Sequence, residues 1–238
     1  MSHRATINRR GTIALALAVL LASLWAVLGL TAQDASGVAA VPLGKTKNTP
    51  KPACPKECQA TGTVTAFQVA AAGEENPFKV PTDGHIVAWA VDLSKPVDSD
   101  IAAFNEKFED KRFEGRAAAR ISVLKPLGRA KYKLTKQSPP VELQEHFDSQ
   151  PIFTLRKPLK VSAGQRIALT LPTWAPLYVS GIDPQNNEWI ASRDPGTCGL
   201  NELLDAKPQQ KKGSIRPYGC RFEGERLLYW AYFVPERT

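Results

Sequence analysis

The longest apolar stretch of the chain comes first. From Gly11 to Gln33 there is no charged residue, and Ile13–Leu30 is almost entirely Ala, Leu, Val and Ile. Arg4, Arg9 and Arg10 precede it. A basic start followed by an apolar run is the pattern of a secretory signal. The run is also long enough for a helix across the ~30 Å hydrocarbon core, which takes about 20 residues. Residues 1–40 are therefore expected to be either a signal peptide, cleaved near Val38-Ala39-Ala40, or an uncleaved signal anchor. In both cases the arginines hold the N-terminus inside, so the remainder lies outside.

Past this segment the pattern changes. Residues 41–53 contain three prolines, three lysines and no aromatic residue, which predicts a flexible Pro/Lys linker. From Cys54 to Pro235 apolar and polar positions alternate in short runs, the period of a half-buried strand. Strands are expected over 63–69, 78–80, 85–93, 119–124 and 132–135. Further strands are expected over 153–155, 159–161, 165–171, 177–182, 188–191 and 227–234. Pro and Gly punctuate them, as in the Pro81-Thr-Asp-Gly84 turn. Pro172 and Pro176 bracket Trp174, so 172–176 is expected to be a loop. Ile101, Phe104 and Phe108 share one helical face behind Asp100 as N-cap, predicting one short helix over Ile101–Phe108. The expected fold is all-β: an antiparallel two-sheet sandwich, jelly-roll-like, spanning 54–235.

The phrases Phe78–Trp89, Pro158–Trp174 and Leu227–Pro235 resemble exported bacterial β-sandwich domains of jelly-roll type. In particular they are similar to uncharacterised secreted proteins carrying a Cys pair at the start of the domain. The resemblance implies a jelly-roll-like sandwich and an outside location. It implies no substrate and no functional residues.

Charge adds little to this picture. The chain holds 31 Lys+Arg against 23 Asp+Glu, a formal net charge of +8. The excess is scattered, with only Lys211-Lys212 and Arg129–Lys136 denser than average. A nucleic-acid binder would concentrate its charge in a stripe with interleaved aromatics, so a solvated surface is expected and no nucleic-acid partner. Weak attraction to anionic lipid or wall polymers remains compatible with it.

Cys54, Cys58, Cys198 and Cys220 all follow the apolar run. An even count outside the cytoplasm reads as two disulfides with three possible connectivities; chain proximity favours Cys54–Cys58 and Cys198–Cys220. A zinc site is the weaker reading, because the second pair is widely spaced and no His lies nearby. No metal and no cofactor are expected.

Catalytic motifs are missing: there is no GxSxG elbow, HExxH, P-loop or GxGxxG. Two histidines follow the N-terminal segment, His85 beside Asp83-Gly84 and His146 within Glu142-Leu-Gln-Glu-His146. Both read best as polar surface residues. The aromatic set is more informative. Trp89 and Trp230 sit among Ile, Val and Leu in alternating strands and are expected in the core. Trp174, Tyr178 and Trp189, with Arg193 and the amides Asn186-Asn187 nearby, have the composition of a sugar-binding face. The same rings would equally plug an open end of a sandwich. The leading expectation is an exported, non-catalytic β-sandwich module with a structural or ligand-binding role at the cell surface. Its partner would be a surface glycan or protein, with membrane attachment through the N-terminal segment if uncleaved. A carbohydrate-binding module using Trp174, Tyr178 and Trp189 is the sharper version, and a secreted hydrolase the remaining alternative.

Overall fold

The computed structural model describes residues 39–54, 58–108, 112–199 and 209–236. The expected signal or anchor segment therefore lies, except for its last two residues, outside the described residues. Among them no helix is long and apolar enough to cross a membrane.

The first half of the chain forms β1 (Val41–Leu43), β2 (Thr61–Ala71), β3 (Glu74–Glu75), β4 (Gly84–Val91), helix α1 (Asp98–Lys107), β5 (Ala118–Pro126) and β6 (Lys131–Gln137). The second half adds β7 (Val141–Glu142), β8 (Ile152–Val161), β9 (Arg166–Ala175), β10 (Tyr178–Val179) and β11 (Glu188–Ala191). It ends with β12 (Ile215–Pro217), β13 (Cys220–Glu223), β14 (Arg226–Leu227) and β15 (Tyr229–Pro235). The fold is mostly β, and its sheets are antiparallel. A four-stranded sheet runs β1-β15-β4-β8. A larger sheet runs β12-β6-β5-β9-β2-β11-β13, with β3 joined to β2 and β7 to β5, and β10 pairs with β14.

One hydrophobic core draws on both large sheets. Ile86, Trp89 and Val91 of β4 and Phe233 of β15 meet Val64, Ile121, Val123, Ile167 and Leu169 from the larger sheet. Strand β9 shows how sequence produces this. Ile167, Leu169 and Leu171 point into that core, while Ala168 and Thr170 alternate to the opposite face. The opposite face has its own small core of Phe67, Leu124, Leu134, Ala168, Ile190 and Tyr218. Beside it Thr170 Oγ1 bridges the hydroxyls of Thr65 (2.9 Å) and Ser122 (2.7 Å), which satisfies three buried polar groups in one row. Gln210, fully buried, closes this layer with bonds to the Tyr132 and Ser214 carbonyls and from the Tyr218 hydroxyl.

Three expectations are corrected. The 41–53 linker instead contributes β1, paired with β15 from Val41↔Phe233 to Leu43↔Ala231. The reason is side-chain anchoring just after it: buried Arg226 donates to Thr46 Oγ1, and the Lys45 ammonium sits 4.8 Å over the Trp230 ring. The proline-bracketed loop at 172–176 is instead the end of β9. Pairing with β5 stops at Arg120↔Thr170, and a register shift against β2 falls between Val64↔Leu171 and Gly62↔Trp174. Pro172 thus sits where a strand can spare its missing N–H. Finally, the helix starts at Asp98, its N-cap is Val97 without a side-chain cap, and Asp100 lies within the first turn. Both acids there favour the positive end of the helix dipole. Phe108, just past α1, packs over Gly62, where a Cβ would meet its ring at 2.8 Å and the Thr173 carbonyl at 2.1 Å.

Candidate functional site

Of the four residues singled out from the sequence, the structure brings two together. Trp174 is fully buried (0% exposed). Its Nε1–H donates to Asn105 Oδ1 (3.0 Å) and the Gly115 carbonyl (2.8 Å), and Phe104 and Phe147 pack on its ring. Arg193 is 3% exposed and donates to the Thr63 carbonyl at 2.7 Å. Burial, with Arg216 nearby, pushes its guanidinium down to about 10. Both are structural residues. The amides at 186–187 are also engaged: Asn187 accepts from the Ala72 N–H and donates to the Asp183 carbonyl. An open face built from Trp174, Tyr178 and Trp189 is therefore not formed.

Tyr178 and Trp189 do meet, edge to face at 6.4 Å between centroids. They line a cleft of about 500 Å³ with Phe222, Glu225 and, from α1, Phe104 and Lys107. Trp189 stacks on Phe222 at 4.1 Å and is itself 2% exposed, so it offers little open ring surface. Tyr178 is half-buried. The polar centre is Glu225, whose carboxylate accepts the Trp189 Nε1–H at 3.1 Å. Burial first, and the Glu225 carboxylate second, push the Tyr178 hydroxyl well above its ordinary value, so it remains a neutral donor. Gln59 and Ser180, hydrogen-bonded to each other at 2.8 Å, complete the mouth.

Covalent and polar staples hold this cleft. Cys54–Cys58 and Cys198–Cys220 are both disulfides, the pairing favoured by chain proximity, and Cys58 and Cys198 lie on the cleft wall. Two disulfides are consistent with an extracellular location. The fully enclosed Gln68 side chain donates to the carbonyls of Glu188 and Glu225 and accepts from the Leu227 N–H, fixing the β13–β14 turn against β2. In the sequence Glu225 is not distinguished from Glu223, two residues before it. It differs because the tight turn at Gly224, tied to the Asn187 carbonyl, turns it inward. Phe104, Lys107 and Phe222 are likewise not marked as site residues by the sequence; they are 44 or more residues from Tyr178 and join it only through the fold.

The hydrolase alternative required a pocket with His85 or His146 against a carboxylate. Neither histidine lines this cleft. Among the described residues neither side chain makes a hydrogen bond or ion pair; His146 instead packs edge-on against Phe153 at 5.3 Å.

These features define a disulfide-stapled, antiparallel β domain with an aromatic cleft around one carboxylate. Compared with protein-family models, curated proteins and solved structures, the chain matches none.

Proposed function

We propose that this is an exported, non-catalytic β-sandwich of jelly-roll type that works at the cell surface by binding a ligand in the Tyr178–Trp189–Phe222–Glu225 cleft. The observation that carries the reading is Glu225: a carboxylate held by an indole N–H inside an aromatic-walled cleft, with the tyrosine hydroxyl kept neutral beside it. Such a wall offers apolar contact to one side of a ligand, while Glu225, Gln59 and Ser180 offer hydrogen bonds to its polar side. A sugar residue, with a C–H face and hydroxyl edges, matches that division. The sandwich itself is supported by the core shared between the two large sheets, and export by the N-terminal pattern and the disulfides.

The test is a glycan array probed with the oxidised protein and with Glu225→Gln and Phe222→Ala. Binding by the parent that falls at least tenfold per folded molecule in both variants is the expected result. Binding that is indifferent to both substitutions removes the cleft as the site.

A further inference from the structure

The charge that looks scattered along the chain is gathered by the fold. Residues 115–141, 149–182 and 206–222 contain no Asp or Glu, and the first and last of these runs are rich in Lys and Arg. These runs supply β5, β6, β8, β9 and β12. In the larger sheet β12, β6, β5 and β9 are successive neighbours, and β8 leads into β9 through the turn at 162–165. One corner of the molecule is therefore built from segments free of acidic residues.

At that corner the register sets a compact patch. Lys125 lies opposite Lys133, which lies opposite Ile215. Two positions further along, the Leu127 N–H donates to the Lys131 carbonyl at 2.9 Å, and Lys131 lies opposite Pro217. Opposed residues share a sheet face, and so do alternate residues along a strand. Lys125, Leu127, Lys131, Lys133 and Ile215 thus present on one face. On β5 the same face carries Val123, two residues earlier, into the main core. The patch is that face continued past the residues covering it: the three lysines are exposed, Leu127 is 46% exposed and Ile215 is 54% exposed.

Two features make this arrangement costly for folding alone. Like charges directly opposed across strands repel, and among the described residues no carboxylate pairs with Lys125, Lys131 or Lys133. The hairpin tip between them also holds Gly128, Arg129 and Ala130 all at positive φ (83°, 49° and 53°), a conformation that side-chain-bearing residues disfavour.

We propose that this corner docks on the surface of an anionic lipid bilayer. Lysines alone would suit any polyanion. Leu127 and Ile215, exposed among them, single out a bilayer: the apolar side chains enter the headgroup–acyl boundary while the ammonium groups meet lipid phosphates. The patch is separate from the cleft, and the proposal stands or falls independently of the ligand bound there.

The test uses the full chain reconstituted in nanodiscs of phosphatidylcholine, alone or mixed with phosphatidylglycerol, read by hydrogen–deuterium exchange. Exchange at the 127–131 tip is expected to slow in the anionic discs only. Lys133→Glu should cut the docking equilibrium about fivefold or more, the effect of losing one surface cation near anionic lipid. Leu127→Ser should reduce it as well, while β9 amides stay protected in both variants as the control for folding; Lys125→Gln serves if Lys133→Glu disturbs β6. Equal exchange in both discs overturns the proposal. So does slowing that dextran sulfate reproduces in solution and that Leu127→Ser leaves intact, an outcome assigning the patch to an anionic polysaccharide.

Discussion

Trp174 tests whether the aromatic residues conspicuous in the sequence hold the fold or hold a ligand. Replacing it by Phe keeps an aromatic ring in the site and removes the indole N–H. Asn105 Oδ1 and the Gly115 carbonyl, at 3.0 and 2.8 Å, then lose their donor in a buried setting. An orphaned buried acceptor costs about 1–3 kcal/mol, and the two share one donor, so about 2 kcal/mol is the expected polar loss. The smaller ring leaves a void of about 40 Å³, which at ~24 cal/mol per Å³ adds about 1 kcal/mol. The sum is about 3 kcal/mol, a large fraction of the stability of an ordinary domain. Urea unfolding followed by far-UV circular dichroism reads it as a lower midpoint at unchanged slope. Ligand binding per folded molecule should be unaffected. A loss below about 1 kcal/mol would refute the hydrogen-bond argument, and weakened binding at unchanged stability would return Trp174 to the ligand face.

Three further outcomes follow from the same structure. Cys198 and Cys220 are 22 residues apart in sequence, so replacing both with Ser should cost about 3 kcal/mol by releasing that loop in the unfolded chain, measured as a fall in melting temperature. Gly115→Ala should cost about 2 kcal/mol or more, because φ is +77° and the new Cβ would lie 2.0 Å from the Asn105 carbonyl oxygen; unaltered denaturation would contradict that geometry. Tyr178, Tyr218 and Tyr229 are pushed up by burial, so in the folded protein they stay neutral where the unfolded chain ionises, near pH ~10. The unfolded state then releases more protons, so their contribution to stability is complete below that pH and is lost as pH rises above it. Absorbance at alkaline pH should show these phenols ionising together with unfolding; three independent native titrations near pH ~10 would be inconsistent with burial.

How much of this was legible in the sequence depends on which interactions define each element. The strands expected over 85–93 and 165–171, rich in β-branched and apolar residues between turn signals, are specified locally and appear as Gly84–Val91 and Arg166–Ala175. Strand β1 was not legible, because Val41–Leu43 becomes a strand only by meeting β15, nearly the whole domain away. Residues 172–174 were hidden by Pro172, whose tolerance depends on a bulge and on where β5 stops. The cleft was half legible. Tyr178 and Trp189 stood out by type, but nothing local distinguishes Glu225 from Glu223. Their difference is made by Gln68 of β2 and Asn187 just before β11, which clamp the turn. Trp174 and Arg193 show the converse: a proline or a charge nearby suggests exposure, while tertiary contacts bury them.

The place of β15 has a consequence for the order in which the sheet can close. It sits between β1 and β4, so the strand furthest along the described residues is also an interior strand of the four-stranded sheet. Until residues 229–235 have arrived, β1 has no ladder partner and β4 has one side open. Phe78 likewise waits for the Tyr229 ring, which stacks on it at 4.2 Å. A chain that emerges from its N-terminus therefore cannot complete this sheet until residues 229–235 are present. Assembly order is thus written into strand order: the four-stranded sheet closes only when β15 takes its place between β1 and β4.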